Sequence, residues 1–252
     1  MFKIISTGWE CADFIERTLV SVLVQTREDW EIMIIDDASS DPRQAQIIRQ
    51  WCRDHDERWL HHINKERKGT VRNQVEGIRA MDPEDDDIIV FLDLDGDQLA
   101  HPNVLQHLAD AYSDDTLVTY GSLEPVPFVA TCGNAKPFPR NVVRTNSYRQ
   151  HIAEHGATFN HLRTMKGKVF WAISEDQFHW QDGRGWYEHG TDYIFMIAAL
   201  ELANGRYKYI PETLLLYNHA NPNADYLIRS KDSPLCVEDY LSRPQLAPLE
   251  TS

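Results

Sequence analysis

The sequence predicts a doubly wound α/β fold. Three observations predict it: strand-like and helix-like segments alternate through the first half, the strands are apolar on both faces, and each strand runs out in polar or acidic residues. Strands buried on both faces need helices on both sides, the setting of a parallel sheet. In such sheets ligands bind beyond the carboxyl ends of the strands.

FKIIST reads as the first strand, running out at Ser6-Thr7-Gly8. DFIERTLVSVLVQ places Phe14, Ile15, Leu19, Val22 and Leu23 at helical spacing. WEIMIIDD is a second strand ending in Asp36-Asp37, PRQAQIIRQWCRDH a second helix, RWLHHIN a third strand ending at Asn64, and GTVRNQVEGIRAM a third helix. DDIIVFLDLDGD is the fourth strand, in which the apolar run Ile88 to Leu92 gives way to Asp93, Asp95 and Asp97 at alternate positions. VLQHLADAYSDD (helix) and TLVTYGS (strand) follow, and then the pattern loosens between 124 and 168, where Pro125, Pro127, Pro137 and Pro139 fall. Regularity returns at TDYIFMIAALELANG, a helix with Asp192 in its first turn and Asn204-Gly205 as its stop signal. RYKYIPETLLLYNHANPN predicts a strand pair ending in a polar turn.

A chain of 252 residues with 42% apolar and 25% charged content fits one large domain with a substantial core. A nucleotide-binding half over 1–123 and an acceptor-side half over 124–252 are expected to complete it. The apolar run Ile194 to Leu200 is seven residues, far short of the roughly 20 that span a bilayer. MFKIISTGW lacks the regions of a signal peptide, so a cytoplasmic, soluble protein is expected. Cys11, Cys52, Cys132 and Cys236 have neither pairing nor metal spacing and read as reduced thiols.

The net charge of −14 argues against a generic polyanion binder. Yet Lys136 to Lys168 holds seven Lys/Arg and one acid, Glu154, a local surplus of +6. That window reads either as a solvated insert or as an anion-facing surface beside the site. No GxGxxG follows the first strand and no GxxxxGK[ST] occurs, which excludes the usual dinucleotide and P-loop signatures. Carboxylates at alternate positions of an extended chain point the same way, so Asp95 and Asp97 can share one hard cation, Mg²⁺ or Mn²⁺. The bland alternative is an Asp-Gly turn with a solvated Asp97.

With these residues in place the chain resembles the family-2 glycosyltransferases of the GT-A fold. IISTGWECADFIERTLVSVLVQTREDWEIMIIDDASSD is similar to the family's opening pattern at Ser21, Gln25, Thr26, Glu31, Ile32, Asp36, Asp37, Ser39 and Asp41. NKERKGTVRNQVEGI resembles its N-x-G-x-x-x-x-R-N-x-G-I segment, and FLDLDGDQLAHPNVL its D-x-D region. The likeness runs over about residues 2 to 125 and returns near 187 to 225. It departs at Trp9-Glu10, where the family has Tyr-Asn, and at Gln98, where another acid is common. The register of the metal pair is open between Asp93/Asp95 and Asp95/Asp97; the latter is preferred because Asp93 continues the strand.

The resemblance implies a transferase that moves a sugar from a nucleotide diphosphate sugar, most often UDP-linked, to a hydroxyl acceptor with inversion. It implies Thr7, Trp9, Asp37, Arg67 (with Arg72 as second candidate) and Asp95 at the nucleotide sugar, Asp95, Asp97 and His219 at Mn²⁺ or Mg²⁺, and Asp192 as the base. Glu175-Asp176 and Glu188 compete for that last role, and Thr191 or Asp192 could instead cap the helix. The processive signature QxxRW is absent, so single addition is expected. The acceptor is expected to be a glycan or lipid-linked saccharide contacted by 124–186, with Trp171, Trp180 and Trp186 available for stacking. Rival readings are a glycosyltransferase acting on hydroxymethylated bases of viral DNA, a non-catalytic nucleotide-sugar-binding module, and a nucleotidyltransferase.

Overall fold

Strand β1 (Phe2–Gly8) is buried as far as Thr7, so it sits inside a sheet rather than at its edge. β2 (Trp30–Asp36), β3 (Trp59–Ile63) and β4 (Ile88–Phe91) run parallel to it in the order β3-β2-β1-β4. A computed structural model describes residues 1–127, 135–223 and 232–250. Within them the sheet continues from β4 through β7 (Asn160–Lys166), β6 (Val118–Val126), β8 (Tyr207–Asn218) and the short β5 (Gln98–Leu99). β4 with β7, β7 with β6, and β8 with β5 are antiparallel; the other pairings are parallel. The expected mainly parallel α/β sheet is present, and the loosely patterned stretch of the sequence supplies its reversal.

Helices cover both faces. On one, α1 (Ile15–Leu23), α2 (Pro42–Asp54) and α4 (Val104–Ala111) bury Ile15, Leu19, Ile48 and Leu105 with Phe2, Ile4, Ile32 and Ile34. On the other, α3 (Thr70–Met81) and α8 (Thr191–Ala203) bury Val71, Val75, Ile78 and Phe195 with Ile5, Met33, Ile35 and Phe91. Ile4 and Ile5, like Ile34 and Ile35, divide between the two layers, the period-two signature of a strand covered on both sides. α2 begins where Asp41 accepts from the Arg43 N–H and Pro42 takes the first turn. α8 ends at Asn204 in the left-handed conformation, as its stop signal indicates.

YKYIPETLLLYN forms one twelve-residue strand rather than the expected pair. Pairing with β6 jumps from Gly121–Ile210 to Ser122–Thr213, so Pro211 and Glu212 bulge out, both exposed. Proline has no N–H for the ladder, and a bulge accommodates it without ending the strand.

α5 (Arg140–Thr145), α6 (Tyr148–His155), α7 (Gly167–Ala172) and α9 (Asp232–Leu241) pack on the α8 layer. A buried ion pair fastens three of these elements. Arg149 of α6 donates through Nε and Nη2, each at 2.9 Å, to the carboxylate of Glu201 in α8, and through Nη1 to the Tyr240 carbonyl of α9. Glu201 also accepts from the Leu246 N–H at 3.1 Å. Cys11, Cys52 and Cys236 are free thiols, and Cys132 lies outside the described residues. Among the described residues no helix is long and apolar enough to cross a membrane.

Glu201 has no solvent exposure, so replacing it with Gln leaves the Arg149 guanidinium buried beside a neutral amide. The expected cost for Glu201→Gln is about 3–5 kcal/mol in urea denaturation, with much of it recovered in Arg149→Met/Glu201→Leu.

Candidate active site

The carboxyl ends of β1, β2 and β4 open into one cleft of about 460 Å³. Six of the residues expected at the site line it: Thr7, Trp9, Asp37, Arg67, Asp95 and Asp192. Arg72 does not. It pairs with Glu76 at 2.7 Å and lies over the Trp186 ring, outside the lining. His219 is likewise outside; its backbone N–H donates to the Val126 carbonyl.

At one end of the cleft Asp37 is held by donors on several sides. Asn64 Nδ2 donates at 3.0 Å, and the Lys68 and Gly69 N–H groups at 2.8 and 3.1 Å. Burial alone would raise its carboxyl, but the Asn73 and Asn64 amides and the two backbone N–H groups hold it below the usual carboxylate range. Arg67 Nε stands 3.6 Å from the same carboxylate, with its guanidinium 4.0 Å from the centre of the Trp9 ring. Flat cation, flat ring and carboxylate together offer stacking and hydrogen bonding to a heterocycle. Glu10, the departure beside Trp9, accepts from the Ser40 N–H and takes φ 49°, so it braces the β2–α2 loop.

β4 stops at Phe91, so Asp93 does not continue the strand, and the ground for setting it aside is corrected: it lines the cleft with Asp95. Gly96 turns the chain at φ 102°, where an added Cβ would stand 2.6 Å from Asn218 Nδ2. Asn218 then fastens the turn, its N–H donating to Asp97 Oδ1 at 2.8 Å and its amide to the Asp95 carbonyl at 2.7 Å. Asn221 Nδ2 donates to Asp95 Oδ2 at 3.0 Å.

Asp97 is fully buried rather than solvated, and its Oδ2 has no hydrogen-bond partner among the described residues. Burial first, then Asp95 and Asp93, push its carboxyl well above the usual range. A buried carboxylate in that position needs a proton or a cation.

β7 supplies what the aspartates lack. It pairs antiparallel with β4, Phe91 opposite Arg163, so His161, two residues before Arg163, lies past the end of β4 on the side of the aspartates. Asp93, Asp97 and His161 each offer a ligand atom, all within 4.8 Å of one another. Burial, then the Arg163 charge, lower the His161 pKa to about 3, which keeps the imidazole neutral and able to ligate. Two carboxylates and an imidazole form a donor set that could hold a divalent cation.

Asp192 stands in the first turn of α8, but no side chain caps that helix. Its half-exposed carboxylate pairs with the buried Arg163 instead. Burial would raise its carboxyl; the Arg163 guanidinium brings it below the ordinary range, so it is ionised at neutral pH. Of its rivals, Glu175 pairs with Arg79, Asp176 lies 3.4 Å from Arg243, and Glu188 packs beside Gly69; none lines the cleft.

The basic window does not form an anion-facing surface at this cleft. Arg149 pairs with Glu201, Arg163 with Asp192, and Lys166 and Lys168 with Asp86, while Lys136, Arg140 and Arg144 are exposed away from the lining. Trp171, Trp180 and Trp186 are outside it too. His161 and Arg163 were invisible to motif reading, since only the long-range β4–β7 pairing brings them to the aspartates.

Similarity to known proteins agrees with this geometry. The family profile described as "Glycosyl transferase family 2" matches residues 4–161, more than half of the chain. Hyaluronan synthase of Streptococcus pyogenes is 32% identical over 115 residues, covering 43% of this chain and 25% of that protein. The match thus spans about a quarter of that relative's length. Among solved structures, S. aureus TarS 1-349 in complex with UDP-GlcNAc superposes with a TM-score of 0.64 at 12% identity, covering 95% of this chain and 64% of that one. The mannosyltransferase PcManGT from Pyrobaculum calidifontis, in complex with GDP-Man and Mn²⁺, gives 0.53 at 16% identity over 95% and 69%. The fold is shared with these enzymes, and the chain belongs to glycosyl transferase family 2.

Proposed function

We propose that the chain transfers a sugar from a nucleotide diphosphate sugar to a hydroxyl acceptor, with inversion and divalent-metal dependence. The observation that carries this reading is the set of groups that one cleft brings together: Trp9, Arg67 and Asp37 in mutual reach, Asp93, Asp95 and His161, and Asp192, linked to His161 through Arg163. A donor laid along it meets stacking and hydrogen-bonding groups at its base, acids at its diphosphate and a carboxylate near its sugar. The complexes of TarS with UDP-GlcNAc and of the mannosyltransferase with GDP-Man and Mn²⁺ support a nucleotide diphosphate sugar as the donor class. UDP is the favoured nucleotide. The acceptor is a glycan or lipid-linked saccharide, with 1–123 as the donor half and 124–252 as the acceptor half; the internally paired basic residues favour this over a nucleic-acid acceptor.

Asp93, Asp97 and His161 fit a divalent cation, with Asp95 beside them at the cleft surface. Such an ion stabilises the negative charge of a departing diphosphate, an effect of several kcal/mol. The chain's own groups do the rest. Asp37, Thr7, Arg67 and Trp9 orient the nucleoside. Asp192 takes the proton of the acceptor hydroxyl as its oxygen bonds to the anomeric carbon and the carbon–oxygen bond to the diphosphate breaks, its electron pair leaving with the diphosphate. A positioned base of this kind contributes ~10²–10⁴-fold.

Asp192→Asn is therefore expected to lower metal-dependent turnover of UDP-sugars by ~10²–10⁴-fold while leaving UDP affinity at saturating Mn²⁺ within twofold. Calorimetry with UDP and Mn²⁺, together with a sugar-nucleotide hydrolysis and transfer screen, measures both; unchanged turnover removes Asp192 from the base role. Asp37→Ala removes a charged hydrogen-bond acceptor and is expected to weaken UDP binding about 10–100-fold in the same titration. Metal-independent turnover of every UDP- and GDP-sugar in the screen rejects the cation reading.

A further inference from the structure

Arg163 is 2% exposed and stands between the two halves of the chemistry. Its Nη1 pairs with Asp192 Oδ1, and its Nη2 lies 3.3 Å from His161 Nε2. Phe91 covers the guanidinium at 5.8 Å, and Nε is buried without a hydrogen-bond partner among the described residues. One side chain therefore holds both the candidate base and a member of the candidate cation site.

These contacts carry a chemical constraint. A neutral imidazole has one N–H and one lone pair, and arginine can only donate. The contact from Arg163 makes His161 Nε2 the acceptor, which places the ring proton on Nδ1, itself buried and unpartnered among the described residues. Coordination through Nδ1 requires that proton to sit on Nε2, facing an N–H of Arg163. Coordination through Nε2 uses the same lone pair that Arg163 occupies. By either nitrogen, ion and arginine compete for His161.

We propose that Arg163 is a positioning residue that gives up His161 when the cation site fills and turns its whole fork to Asp192. Nη1 already holds one carboxylate oxygen, and the released Nη2 supplies the second, parallel hydrogen bond of a bidentate pair. Asp192 is then locked in orientation only in the loaded site, and cation occupancy is coupled to base geometry through one guanidinium. This inference rests on the metal-dependent transferase reading above.

Linkage makes the proposal testable without donor or acceptor. If filling the site drives Arg163 onto Asp192, then Asp192 contributes to Mn²⁺ affinity through Arg163. Mn²⁺ affinity is measured by electron paramagnetic resonance for the unaltered protein, Asp192→Asn, Arg163→Met and the double variant. Asp192→Asn is expected to weaken Mn²⁺ binding about fivefold or more when Arg163 is present and less than twofold in the Arg163→Met background. Loss of a nearby negative charge alone would act in both backgrounds, so an equal or larger loss beside Met overturns the proposal. Arg163→Gln takes the place of Arg163→Met in the cycle if the methionine variant does not fold.

Nitrogen hyperfine coupling to bound Mn²⁺ should vanish in His161→Gln and persist in His219→Gln. Bound Mn²⁺ without that coupling overturns the role of His161 and Arg163 while leaving the transferase reading intact. Failure of the unaltered protein to bind Mn²⁺ overturns the cation site and this proposal together.

Discussion

The antiparallel seam between β4 and β7 is the constraint on which the site depends. Four parallel strands deliver Thr7, Asp37 and the aspartate turn to one edge of the sheet; Arg67, after β3, stands beside Asp37, but the aspartate turn itself holds only acids. Acids gathered at the end of a strand repel one another, and burial raises the cost. β7 runs the other way, so its incoming end lies at the outgoing end of β4 and carries His161 and Arg163 there. A fifth parallel strand would have delivered its start to the opposite edge of the sheet. The reversal thus brings an imidazole and a fixed positive charge within reach of the carboxylates.

The rest of the molecule holds that seam in shape. Asn218, at the end of β8, closes the Asp95–Asp97 turn from the far side, and Asn221 holds the Asp95 carboxylate. Behind α8, whose first turn bears Asp192, the buried Arg149–Glu201 pair ties α6, α8 and α9 together. Such a pair is weak as a source of stability, because desolvation offsets most of its attraction. It is strong as a constraint, since neither partner can leave without exposing the other. Ser233, Pro234 and Val237 of α9 line the cleft, so the pair also fixes one wall of the site.

Much of this was legible in the chain. Strand and helix alternation, double-sided burial and acids at strand ends follow from local periodicity, and they located Thr7, Asp37, Asp95 and the cleft without coordinates. Asp192 was singled out by the family resemblance, and only the structure separates a capping carboxylate from one paired with Arg163. His161 and Arg163 were not legible as site residues, because their meaning comes from a strand about 70 positions away. The basic window misled for the same reason: counting charges along the sequence cannot reveal that four of them pair with Glu201, Asp192 and Asp86. Asp97 read as a solvated turn residue or an open ligand, and its complete burial depends on Asn218, 121 residues downstream.

That last separation bears on how the protein comes into being. When a ribosome has released the first four strands, the aspartate turn exists but nothing yet closes it, and the histidine and arginine that face it are still unmade. A nascent chain at that stage carries a knot of mutually repelling carboxylates with no ion-binding geometry. Asn218 on the last strand completes the enclosure. The groups of the candidate cation site therefore come together late in biogenesis, after the first four strands are made.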